Sequence, residues 1–117
     1  MRQKPAGMTL VFNLWSKIST DTHTNEQYLI FFLTTLCKHL GLTSLSVDSR
    51  VFPETGGISI NVIISESSAS LHTWPEYGYI RILIDSCKPV DIDKAFNVVS
   101  EKLQVSREEI EWKVIPW

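Results

Sequence analysis

The chain has 117 residues, 44% of them hydrophobic, with 11 Lys and Arg against 13 Asp and Glu and a formal charge of −2. That length is about one domain, and without a basic run or stripe to neutralise phosphates the chain is not a nucleic-acid binder. Its longest uninterrupted apolar run, Tyr28 to Leu33, is far short of the roughly 20 residues of a membrane span.

The basic start, Met1 to Gly7, leads into an alternating segment with no small-residue cleavage site, so it does not read as a signal peptide. Cys37 and Cys87 form at most one bridge, which is not the composition of a disulfide-stapled secreted domain. A reducing, cytoplasmic setting is expected. His23, His39 and His72 fall on three different predicted elements and neither Cys sits in a C-x-x-C pattern, so no metal site is expected. Four Trp in so small a chain leave room for an exposed apolar face that binds a second copy.

In chain order, Met8 to Trp15 mixes β-branched and aromatic residues and predicts a first strand. Ser16 to His23 is polar and loop-like. Thr24-Asn25-Glu26-Gln27 then fits a capping box, in which the Thr hydroxyl and the Gln side chain satisfy orphan backbone donors. Leu29, Phe32, Leu33, Leu36, Cys37 and Leu40 recur at helical spacing up to Gly41, a helix stop, so Cys37 reads as a small core residue. Leu45 to Phe52 predicts a second strand, ended by the turn cluster Pro53 to Gly57.

Ile58, Ile60, Val62 and Ile64 alternate with Ser59, Asn61, Ile63 and Ser65. Ile80, Ile82 and Ile84 alternate with Tyr79, Arg81, Leu83 and Asp85. These are two strands, each with one apolar face and one polar-leaning face. Pro89-Val90-Asp91 opens a second helix with the stripe Ile92, Ala95, Phe96, Val99 and Leu103, and Ile110 to Val114 predicts a last strand. The order predicts an α+β, two-layer sandwich: a mainly antiparallel sheet with two helices on one face.

Between the two alternating strands lies Ser65 to Tyr79, rich in hydroxyls and aromatics and predicted to be a loop. Within it, Glu66-Ser67 has a particular chemistry available. The Ser hydroxyl can attack the preceding carbonyl and convert the amide to an ester. Removal of the serine α-proton then eliminates the ester and cuts the chain. The dehydroalanine left behind hydrolyses to a pyruvoyl group.

Gly57-Ile58-Ser59, Glu66-Ser67, the string HTWPEYGY from His72 to Tyr79, and Cys87 twenty residues after Ser67 together resemble the short prokaryotic form of the S-adenosylmethionine decarboxylase proenzyme family. The resemblance implies a single pyruvoyl-dependent decarboxylase domain over residues 1–117, self-cleaved between Glu66 and Ser67 into a β chain, 1–66, and an α chain, 67–117. Ser67 would become the pyruvoyl group, which takes up the substrate amine as a Schiff base and serves as an electron sink, with no external cofactor. His72 would take the α-proton during processing, and Ser59 would hold His72 or the oxyanion. Cys87 would be the acid that protonates the substrate carbon, a thiol being mostly protonated at neutral pH. Glu76 would bind the ribose hydroxyls or the cationic substrate, while Trp74 and Phe52 line the adenine pocket.

The resemblance further implies a homodimer of processed protomers acting on a small-molecule substrate, S-adenosylmethionine, to supply aminopropyl groups for spermidine and other polyamines. Three positions depart from the family pattern: Ser68 replaces its usual His, Met8-Thr9 replaces a basic pair, and the Phe52-to-Ser59 gap is one residue longer. These bear on the substrate, and relatives with the same processing motif decarboxylate ornithine or arginine. A non-catalytic relative that keeps the loop is the remaining alternative. If the strands flanking the loop paired directly, Cys87 would face Ser59 and lie far from Ser67, since eight extended residues span about 26 Å. A folded-back loop or a two-fold dimer would close that gap.

Overall fold

The computed structural model describes residues 2–16 and 25–117. Among these the elements run β1 (Met8–Trp15), α1 (Glu26–His39), β2 (Ser44–Phe52), β3 (Gly57–Ile64), β4 (Ser67–Trp74), β5 (Tyr79–Ser86), α2 (Ile92–Leu103) and β6 (Glu111–Pro116). The strands form a single sheet in the order β2-β3-β4-β5-β1-β6, and every adjacent pair is antiparallel. No helix of the described residues is long and apolar enough to cross a membrane.

The apolar parity of each strand builds one side of this sheet. Leu10, Phe12 and Leu14 from β1, Ile58 to Ile64 at alternate positions of β3, Leu71 from β4 and Ile80, Ile82 and Ile84 from β5 share one buried core. The helix residues Leu29, Phe32, Leu33, Leu36, Phe96, Val99 and Leu103 complete it. Phe12 and Phe96 meet there with ring centroids 4.8 Å apart. Both helices thus lie on one face, as the alternation predicts. β2, at the sheet edge, is the exception: Leu45, Val47 and Val51 stay exposed.

The helix caps follow from residues that bond the backbone locally. The side chain of Asn25 accepts from the Tyr28 N–H at 2.9 Å, so Asn25 is the cap rather than the expected Thr24. Thr24 and the expected loop from Lys17 to His23 lie outside the described residues. At the other end of α1, Gly41 takes φ +74°, the left-handed geometry for which glycine has no steric cost. Asp91 caps α2 by accepting from the Lys94 N–H at 3.2 Å.

The largest correction concerns Ser65 to Tyr79. Most of it is β4, which inserts between β3 and β5 and pairs with both. Ala69, Leu71 and Thr73 are buried, alternating with Ser68, Ser70 and His72. Period-two alternation is therefore present, carried by residues too small or too polar to register as a strand. The backbone donors of β4 are spent on its two neighbours, so the segment is not a folded-back loop. β3 and β5 do not pair directly, and Cys87 does not face Ser59.

Candidate active site

β4 carries its chemistry to its two ends. At its start, β3 turns into β4 through Ser65 and Glu66 alone, Ile64 pairing with Ser67. Two-residue hairpin turns favour positive φ within the turn, usually at Gly or Asn. Here the positive φ falls instead on Ser67, at +152°. A non-glycine residue held there costs about 1–3 kcal/mol and needs its surroundings to hold it.

The surroundings do so through several hydrogen bonds. The Glu66 carbonyl accepts from the Cys87 N–H at 2.8 Å, and the Ser65 N–H donates to the Thr43 carbonyl at 2.9 Å. The Glu66 carboxylate accepts from the Thr43 N–H at 3.0 Å and lies 3.8 Å from Lys88 Nζ. That ammonium also donates to the Gly41 carbonyl at 2.9 Å. Cys87 is fixed from its own side, because the buried Ser86 hydroxyl donates to the Lys88 carbonyl at 2.7 Å and turns the chain there. With Ser67 paired to Ser86 in the β4–β5 register, Glu66, Ser67 and Cys87 come together within one chain.

Ser59 and His72 meet as well, but elsewhere. They are cross-strand partners, with Ser59 Oγ and His72 Nδ1 joined at 2.8 Å. His72 is five residues along β4 from Ser67, about 17 Å of extended chain. Burial, and after it the Arg81 guanidinium, pushes the His72 pKa below its ordinary value. A neutral His72 whose Nδ1–H donates to Ser59 leaves Nε2 bare and able to accept a proton.

Phe52, Trp74 and Glu76 line a cavity of about 580 Å³ at this second end, which Ser59 and His72 also face. Gly57 is packed so closely there that a Cβ would lie 3.0 Å from the Thr73 carbonyl oxygen, which explains the glycine before Ile58-Ser59. Between Phe52 and Ser59 the chain turns with Gly56 at φ +76°. Pro75–Tyr77 form one 3₁₀ turn closed by Gly78 at φ +64°. The HTWPEYGY string is therefore the end of β4, its turn and the start of β5.

Several residues at the site were not singled out from the sequence. Glu54 and Tyr77 line the same cavity. Arg81 Nη1 donates to Asn13 Oδ1 at 3.1 Å, and the Tyr79 hydroxyl donates to the same oxygen at 2.8 Å. Strand parity puts Asn13, Tyr79, Arg81 and His72 on one face, but only the β1–β5 and β4–β5 registers bring them side by side. Cys37 is buried beside the core; burial first and the Glu66 carboxylate second push its thiol up to about 11, which suits an inert core residue.

A chain with this fold has known counterparts. The family model described as S-adenosylmethionine decarboxylase matches residues 8–112, and the chain belongs to this decarboxylase family. Among its relatives, the arginine decarboxylase proenzyme of Aeropyrum pernix is 35% identical over 74% of this chain and 67% of its own length. The S-adenosylmethionine decarboxylase proenzyme of Pyrobaculum islandicum is 34% identical over 73% and 69%. That of Thermotoga petrophila is 46% identical over a shorter match, 44% of this chain and 40% of its own. The crystal structure of the adenosylmethionine decarboxylase from Aquifex aeolicus VF5 superposes with a TM-score of 0.74 at 23% identity, covering 97% of this chain and 91% of that one.

Proposed function

We propose that the chain is a proenzyme that cuts itself between Glu66 and Ser67 and then decarboxylates S-adenosylmethionine. The observation that carries this reading is the Cys87 N–H on the Glu66 carbonyl at 2.8 Å. The Ser67 hydroxyl attacks that carbonyl. As its oxygen gains negative charge, the Cys87 N–H is already aimed at it, the arrangement that stabilises an oxyanion without reorganisation. The Glu66–Ser67 C–N bond breaks, leaving an ester and a free Ser67 amine, which relieves the strained φ of Ser67. His72, backed by Ser59, then removes the Ser67 α-proton, and Glu66 leaves as a carboxylate. Water displaces ammonia from the residual dehydroalanine to give the pyruvoyl group at residue 67.

That group supplies the electron sink for the carbanion left as carbon dioxide departs. Cys87 holds a proton for the substrate carbon, Phe52 and Trp74 offer aromatic faces to the adenine, and Glu76 binds the ribose hydroxyls or the cationic part of the substrate. The working unit is a homodimer. Two features support this: the sheet face opposite the helices carries no covering element among the described residues, and Ser59–His72 lie about 17 Å from Ser67 within one chain. A second copy laid across the open face by a two-fold axis brings one protomer's His72 to the other's Ser67.

Intact mass under denaturing conditions tests the first half: two chains, 1–66 and 67–117, with a pyruvoyl group on the second. Carbon dioxide release from S-adenosylmethionine tests the second. A single uncleaved chain would identify a non-catalytic relative. Release from arginine instead would support a second reading, which the Aeropyrum relative and the two carboxylates lining the cavity, Glu54 and Glu76, favour; ornithine is assayed alongside. Cys87→Ala should still cleave, because its backbone N–H remains, but lose about 10²–10⁴-fold in turnover, the range for a missing general acid. Equal turnover in Cys87→Ala would remove the thiol from the mechanism.

A further inference from the structure

Arg81 lies directly opposite His72 in the β4–β5 register, on the sheet face away from the helices. Among the described residues its hydrogen-bond partner is neutral: Nη1 donates to Asn13 Oδ1 at 3.1 Å, and the Tyr79 hydroxyl donates to that same oxygen at 2.8 Å. Tyr79 is in turn held by ring contacts with Trp15 and Trp74, centroids 5.1 and 5.3 Å away. Among the described residues no carboxylate forms an ion pair with Arg81. An amide anchor fixes a guanidinium in place without cancelling its charge, whereas a carboxylate would do both.

The other charged groups around His72 are less well placed to act on it. From β2, Arg50 stands opposite Ser59 but is joined to Asp48 at 2.6 Å, so the pair largely cancels. Glu54 and Glu76 line the cavity from exposed positions, where water and salt screen them. Asp85, further along the face, is taken up by the Thr9 hydroxyl at 2.6 Å. Among the described residues, Arg81 is the fixed charge next to the imidazole that no carboxylate pairs.

We propose that Arg81, anchored by Asn13 and Tyr79, is a positioning residue that repels a proton from His72 and so holds it ready as the base of self-processing. The inference rests on the reading of His72 as that base. Arg81 touches no reacting atom and acts only through its partner. The lowered His72 pKa, with burial its larger cause and Arg81 the second, agrees with this in sign.

Two measurements test it. In a Ser67→Ala background, which keeps the chain whole, the His72 ring is titrated by NMR with Arg81, Arg81→Lys and Arg81→Gln. The titration midpoint should rise in Arg81→Gln and stay near the parent value in Arg81→Lys. In the chain with Ser67 intact, cleavage of Arg81→Gln should be about threefold slower than the parent at pH 6 and match it at pH 8, because only at low pH does the lost charge let His72 protonate. An unmoved midpoint in Arg81→Gln overturns the proposal. So does an equal loss of cleavage at every pH, which is what a merely structural role would give. If no form of the chain cleaves, the reading of the site falls, while the NMR titration still decides what Arg81 does to His72.

Discussion

Ser67→Ala leaves a single chain of full mass, with self-cleavage slowed on the order of 10³-fold or more, as expected when a nucleophile is removed. The reason is local. Glu66 would keep its grip, with its carbonyl on the Cys87 N–H and its carboxylate on the Thr43 N–H, and alanine would inherit the φ of +152°. Every feature that prepares the carbonyl for attack survives; only the attacking oxygen is gone. The substitution removes one half-buried hydroxyl, so the uncleaved protein should keep its fold with a stability change within about 1 kcal/mol. Intact mass after prolonged incubation is the measurement. If Ser67→Ala still cleaves, the new fragment masses identify the nucleophile as Ser65 or Ser68, and the assignment of Ser67 is wrong.

The second large effect is complementation between copies. Ser67→Ala has a sound Ser59–His72 pair and no nucleophile; His72→Ala has the nucleophile and no base. Alone, each should stay whole. Co-expressed, they should yield cleaved His72→Ala chains, up to about half of that population if the copies pair at random, while the Ser67→Ala chains remain intact. The rigidity of β4 makes this a sharp test. Hydrogen-bonded on both sides, it cannot bend to bring His72 to the Ser67 of its own chain. If neither chain cleaves in the mixture, His72 does not serve a partner and the proposed dimeric site is wrong. Sedimentation of the processed protein as an active monomer would lead to the same conclusion.

The sheet parity and both helices were legible because strongly apolar residues recur at a period of two or close to 3.6: Ile58 to Ile64, Ile80 to Ile84, and the α1 and α2 stripes. β4 was not, because Ser68, Ala69, Ser70 and Thr73 satisfy the alternation with side chains that also characterise turns. Missing that strand reversed the geometry of the site. With β3 and β5 paired directly, Cys87 would have stood opposite Ser59 and far from Ser67, a gap left for a folded-back loop or a dimer to close; the extra strand instead joins Ser67 to Cys87 and separates both from His72. Ser59, Ser67, His72 and Cys87 were found through the family resemblance, whereas Asn13 and Arg81 were not, since a neighbour 68 positions away is set by strand order and no local pattern encodes it. The helix cap moved from Thr24 to Asn25 for a simpler reason: either side chain can accept the orphan N–H, and the choice rests on backbone geometry.

The position of the proposed cleavage, at the end of a two-residue turn, also bears on how the processed protein would unfold. Cutting there severs no strand. Residues 1–66 keep β1, β2 and β3, and residues 67–117 keep β4, β5 and β6; in the sheet, β3 stays paired with β4 and β1 lies between β5 and β6. The two pieces are interleaved. Before the cut, a protomer that unfolds stays one covalent chain; after it, complete unfolding also separates two pieces, which adds a further concentration dependence to that of the dimer, and each piece loses the partner it folded with. Maturation would thus convert a protomer that can refold as one chain into one that depends on its two pieces staying together.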